Sequence, residues 1–536
     1  MEKVEGYVRR GRGGVEPDGN GDQPERDRPR AQRVGRHGLH DSTLLPMMRA
    51  AMGSPTDSVP APVERQHVGV LTVLSALILV AFIAVMAWLQ YGGSRMEAVE
   101  EPERALALVV GRTMDLDDAI GGASGWERLF YRLTSTDPAE DLAEAIRWYE
   151  ELADASVDPA VDFHLAILEG EAGRLDRVRR RAAEWAMRPD PLPAFGRVVV
   201  AAYLGDEGEA MEGTVVAETL EQGLAPGWFR DRIAGRLAAR AGDGEALAAI
   251  AAAQGARSAH VLVRGRLLIA LELALLAVAV LVVLGLLRRR SLFARVGAVS
   301  LPPPWRGRQG VVVLVRGGAL GVLALGAVYL YSALAPEHSR SLNRVMFGLV
   351  TNLAFVPVLV LANRCLVRPA EMSFRESFGL VPVAGGIRSL AVVLLALLGV
   401  GQLGEGVMDL AGRGLGLSSH WAEWFDPDLA WGPRIDVAAT LLDTVVLTPV
   451  FEEIVFRGLV FATLRRRFGT GMAAGLSAAI FAIAHGYGVL GFAAVFWSGL
   501  LWAFAYERTG SLLPSIAAHA ADNLMAALGV ILVLRG

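Results

Sequence analysis

The chain has 536 residues, 53% of them hydrophobic and 20% charged, with a net charge of −4 and a mean hydropathy of +0.38. That balance is too apolar for a wholly water-soluble protein and too charged for one wholly embedded in lipid. No basic patch alternates with aromatics, so nucleic acid is excluded as a partner, and the lone Cys365 excludes an internal disulfide framework and a cysteine zinc site.

In chain order, residues 1–66 are rich in Arg, Gly, Pro and Asp and lack an apolar period, which predicts a disordered arm. An over-long translation start is the alternative reading of this arm, since Met47, Met48 and Met52 lie downstream. The next segment, 67–91, holds an uncharged run from Val68 to Trp88 of bilayer-spanning length. Arginines precede it and acidic residues follow it, so the positive-inside rule puts the N-terminus in the cytoplasm and the following segment outside. Arginine carries this signal because Lys3 is the only lysine.

Residues 92–266 read as short amphipathic helices broken by Gly, Asp and Pro. A helix pair returns after roughly thirty-odd residues, which suggests tetratricopeptide-type hairpins, with a plain helical bundle as the alternative. Such an extracytoplasmic domain is expected to bind a protein partner or act as a spacer. The string "GGASG", Gly121–Gly125, matches the G-x-S-G of rhomboid-type serine proteases but lies outside any apolar run, so a loop is expected.

Membrane character returns at Leu267. Residues 267–340 are expected to form linking spans and 341–536 a membrane domain. The expected spans are Leu267–Leu287, Val311–Leu334, Val345–Leu361, Ile387–Leu403, Val437–Phe461, Met472–His485, Leu490–Tyr506 and Leu512–Leu534. With the first run this makes an all-α polytopic protein of about nine spans. The loop from His420 to Arg434 carries Trp421, Trp424, Phe425 and Trp431, which suit an interfacial aromatic belt.

Inside this apolar region "TPVFEEIVFRGLVF" carries Glu452, Glu453 and Arg457. Intramembrane charges are costly unless paired or functional. Glu453 and Arg457, four apart on a helix, can pair. Glu452 is rotated by about 100° and left without a local partner. Asp443 lies on roughly the opposite face of that helix. "FAIAHG" ends its helix at His485, and "HAADN" sets His519 and Asn523 on one face. Counting from the cytoplasmic helix ends puts Glu452 and His485 each about 20 Å deep, and His519 and Asn523 about 12–18 Å deep.

The motifs E-E-x-x-x-R (Glu452, Glu453, Arg457), F-x-x-x-H (Phe481, His485) and H-x-x-x-N (His519, Asn523) resemble those of the CPBP intramembrane proteases. That family comprises CAAX prenyl endopeptidases and bacteriocin-processing or immunity proteins. The resemblance covers roughly the last hundred residues. It implies an endopeptidase in which Glu452 and His485 activate a water, while His519 and Asn523 steady the oxyanion. Glu453, Arg457 and Phe481 would be supporting. Independently, a carboxylate beside a water can take its proton, and neutral donors aimed at a developing oxyanion gain strength where water is excluded.

The alternatives are a zinc protease holding metal through Glu452, His485 and His519, or an inactive scaffold or immunity-type protein. No H-E-x-x-H is present and Asn is a poor zinc ligand, so no cofactor is expected. No inverted repeat supports a transporter. The expected partners are the bilayer and a peptide or protein substrate, whose prenylation state the sequence does not specify. The expected location is a bacterial inner membrane.

Overall fold

The computed structural model describes residues 69–91, 96, 99–134, 137–205, 213–288, 303–334, 348 and 350–535. The expected arm at 1–66 lies outside them. Among the described residues every regular element is a helix.

Helix α1 (Val70–Tyr91) is the first apolar run, followed by a domain of helices α2 (Pro102–Gly121), α3 (Gly125–Thr134), α4 (Pro138–Ala155), α5 (Pro159–Glu171), α6 (Leu175–Trp185), α7 (Leu192–Tyr203), α8 (Gly213–Gly223) and α9 (Trp228–Ala241). Two starts are written as Asp-Pro. Asp137 and Asp158 accept hydrogen bonds from the amides of Ala139 and Ala160, while Pro138 and Pro159 occupy first-turn positions where no amide is needed. Chain neighbours α4 to α8 pack on one another, and α5 also packs on α7 and α7 on α9, giving stacked helical hairpins. Gly223 lets them close up: a Cβ there would come within 2.7 Å of Phe163 and Phe195.

Helix α10 (Gly244–Arg288) crosses the expected boundary at 266 without a break. Its 45 residues extend about 67 Å at 1.5 Å per residue. The first part packs on α2 and α9, and the helix also packs on the membrane helices. The latter are α11 (Gly307–Leu334), α12 (Asn352–Ala370), α13 (Gly386–Gly414), α14 (434–464), α15 (Thr470–His485), α16 (Val489–Thr509) and α17 (Leu513–Leu534).

Seven described helices are long and apolar enough to cross a membrane: α1, α10, α11, α12, α13, α16 and α17. The other two expected spans differ from that standard. Helix α15 has only 16 residues, and α14 alternates α-helical turns with π-helical turns at Leu442–Leu447 and Ile454–Phe461.

The aromatic loop also differs from expectation. Trp421 is fully buried and Phe425 nearly so, and both join the hydrophobic core of the hairpin domain instead of facing lipid. His420 Nε2 lies 3.3 Å from Glu151 Oε2 on α4, and the Arg104 guanidinium sits 4.3 Å above the Trp431 ring. Only Trp424 is exposed among the four aromatics. An indole ring packs into protein as readily as into an interface, and composition alone does not distinguish the two.

Candidate active site

The site is built from α14, α15 and α17, with α16 closing one side. On α14 the Glu453–Arg457 pair forms as the spacing predicts: Arg457 Nη1 donates to Glu453 Oε1 at 2.6 Å, and both side chains are fully buried. Such a pair survives burial only when further contacts compensate for lost hydration. Here the guanidinium lies 4.3 Å from the Phe481 ring centroid and 4.9 Å from that of Trp502, a cation between two π faces. Gly499 makes the room, since a Cβ there would stand 3.2 Å from Arg457 Nη2 and 3.1 Å from Ala478. Small residues let α15 and α16 approach closely.

His519 on α17 spans both glutamates. Its Nδ1 is 3.2 Å from Glu453 Oε1, where the carboxylate can only accept, so Nδ1 carries the hydrogen. Its Nε2 then faces Glu452 Oε2 at 3.7 Å, beyond hydrogen-bond reach. Glu452 Oε2 is buried without a hydrogen-bond partner. Trp502 stacks on the His519 ring with centroids 4.3 Å apart, and the Phe481 edge meets it at 5.8 Å.

His485 ends α15, just before Gly486 takes a left-handed conformation at φ 69°. Its Nδ1 lies 2.8 Å from the Phe481 carbonyl, which can only accept. This fixes the tautomer and leaves Nε2 as a lone-pair acceptor. Phe481 thus touches both histidines and the arginine. Among the described residues, no hydrogen bond joins His485 to Glu452.

Asn523 Nδ2 donates to the Thr444 carbonyl at 2.7 Å, not to His519. Pro449 explains why that carbonyl accepts it. In the π-helical run before Pro449, the Thr448 amide pairs with the Asp443 carbonyl five residues back. The next amide in that series would belong to position 449 and serve Thr444, but proline has none. Asp443 accepts from Asn352 Nδ2, which also reaches Thr448 Oγ1 at 3.2 Å.

Several participants were not singled out by sequence reading. Trp502 lies on a helix with no charged motif of its own. Glu423, in the aromatic loop, accepts from the Gly488 amide at 3.0 Å, three residues after His485. Glu272, Glu405, Asp409 and Asp522 are further ionisable residues within α10, α13 and α17, and an intramembrane carboxylate is a visible signal. Among the described residues no three His, Cys, Asp or Glu side chains are grouped as a metal site.

Residues 434–525 match the model of the type II CAAX prenyl endopeptidase Rce1-like family. This segment is of the CPBP/CAAX protease family. All seven motif residues, from Glu452 to Asn523, lie within the matched stretch. No curated protein and no solved structure matches the chain.

Proposed function

We propose that the protein is an intramembrane endopeptidase that hydrolyses peptide bonds of membrane-associated substrates. The observation that carries this reading is the asymmetry of the two adjacent glutamates. Each glutamate keeps a buried Oε2 without a hydrogen-bond partner, but Glu453 Oε1 takes both Arg457 and His519, whereas among the described residues Glu452 makes no hydrogen bond at all and stands beside the imidazole. A chain that needed only a structural ion pair would have no use for the second carboxylate.

In this reading Glu452 takes a proton from a water held also by His485 Nε2. The water oxygen bonds to the carbonyl carbon, and the electron pair of the C=O moves onto oxygen. His519 donates to that oxyanion from Nε2 when protonated, held in place by Glu453 and Trp502. Collapse breaks the C–N bond, and Glu452 returns its proton to the departing amine. Asn523 acts chiefly by fixing α17 against α14 at Thr444, with its second amide hydrogen left for the oxyanion. Arg-rich sequence before α1 and acidic sequence after it support an N-terminus in the cytoplasm, with 92–266 outside a bacterial inner membrane. The tetratricopeptide-like hairpins would receive a protein partner or substrate there.

The test is terminal-peptide profiling of membranes from cells carrying the native protein or Glu452→Gln at matched abundance. Loss of the general base is expected to lower cleavage about a hundredfold to ten-thousandfold. Peptides present only with the native protein would also name the substrate. Identical peptide sets, with the cellular phenotype retained by the variant, would refute proteolysis in favour of a scaffold or immunity-type role. Abolition by a chelator with rescue by zinc would favour the metal alternative.

A further inference from the structure

Helix α3 (Gly125–Thr134) is amphipathic and, apart from the half-buried Phe130 and the buried Tyr131 ring, its polarity is reversed relative to the protein. Ser124 starts it: its hydroxyl and amide both donate to Glu127 Oε2, at 2.7 and 3.1 Å. The side turned toward the protein is held by polar contacts. The Tyr131 hydroxyl donates to Asp117 Oδ1 on α2 at 3.0 Å, and Glu127 Oε1 lies 2.7 Å from Arg266 Nη2 on α10. Glu127 and Tyr131 are four apart and share that face.

Trp126 and Leu129, three apart, share another face and are 70% and 60% exposed. A helix on a water-facing domain ordinarily does the opposite, burying its apolar stripe and exposing its charges. The reversal makes sense where the outside is not water. The position of the anchor says which medium that is. Arg266 is the last charged residue before the apolar run of α10 begins at Leu267, so the Glu127 contact holds α3 level with the start of a membrane span. Arg128 is exposed and lies between Tyr131 and Leu129 around the helix, from where its long side chain can reach a phosphate headgroup.

We infer that α3 lies in the lipid interface, with Trp126 and Leu129 inserted among the headgroups and upper acyl chains, and docks the hairpin domain onto the bilayer surface. A short amphipathic segment with an aromatic on its apolar face binds lipid in this way. The inference is independent of the catalytic reading, because it uses no residue of the α14–α17 site.

The test uses the full chain in liposomes of phosphatidylcholine and phosphatidylglycerol. In a Cys365→Ser background, Trp126→Cys and, separately, Leu129→Cys are labelled with an environment-sensitive fluorophore. Met187→Cys, at an 89% exposed position of the same domain, is the water-facing control. Labels at 126 and 129 are expected to emit to the blue of the control, to be quenched by nitroxide on a shallow acyl carbon, and to lose most of the iodide quenching seen at 187. Iodide quenching at both positions equal to that at 187 would overturn the inference. So would protection from iodide without quenching from lipid, which would mean that protein covers the face.

Discussion

Arg457 shows how one residue can hold three helices. It is fully buried, bonds one carboxylate oxygen and fills the gap between Phe481 on α15 and Trp502 on α16. Arg457→Met would leave Glu453 as an uncompensated buried charge, and is expected to cost about 3–5 kcal/mol. Adding Glu453→Gln should recover much of that loss, measured as thermal stability of the detergent-solubilised protein. A double variant no more stable than Arg457→Met would refute the pairing account. In the hairpin domain, burial and the nearby Asp141 push the Asp117 carboxyl up to about 7. An unfolded aspartate titrates near 3.9. The folded domain therefore binds this proton more tightly than the unfolded chain, and loses stability as pH rises from about 4 to 7, with no further loss above. Asp117→Asn keeps an acceptor for Tyr131 and removes the charge. The domain is expected to gain roughly 1–3 kcal/mol at pH 8 and nothing at pH 4, read by urea-dependent protease sensitivity. A gain of equal size at both pH values would contradict the assignment.

At the scale of the element, α14 departs most from what a sequence reader would draw. The Glu453–Arg457 pair was legible because a salt bridge at four-residue spacing tolerates either helical form. The partner of Asn523 was not, because π-helical turns change the angular bookkeeping and leave almost no signature except Pro449. The aromatic loop misled for a related reason: buried and interfacial tryptophans share one composition. Pro449 and Asn523 together give a way to separate structure from chemistry. Asn523→Ala strands the Thr444 carbonyl, at a cost of about 1–3 kcal/mol. Pro449→Ala supplies a backbone amide that can serve the same carbonyl. The double variant is expected to regain stability over Asn523→Ala. If Asn523 also donates to the oxyanion, cleavage stays depressed in the double variant although folding recovers. Recovery of both would make Asn523 a purely positioning residue.

At the scale of the whole molecule, the hairpin domain meets the membrane helices through elements remote in sequence: the unbroken α10, the end of α17, which packs on α2, and the loop from His420 to Arg434. The loop's Trp421 is buried in the hairpin-domain core, while its Glu423 accepts from the Gly488 amide at the start of α16. Gly488 and Gly486 bracket the turn that follows His485, so the loop holds on one side the domain and on the other the turn carrying the second motif. Coupling of this kind requires a physical link with two ends, and both are identified here. Glu423→Ala removes the acceptor at the turn and leaves the domain end intact. It is expected to lower turnover on the order of tenfold, corresponding to about 1.4 kcal/mol of lost positioning, with KM little changed. Trp421→Ala acts from the other end: deleting a buried indole costs about 3–5 kcal/mol locally and should free the loop from the domain. If the loop transmits position, combining the two substitutions lowers turnover no further than the worse single variant, because both break one link. Additive losses would show that the hairpin domain and the His485 turn are independent.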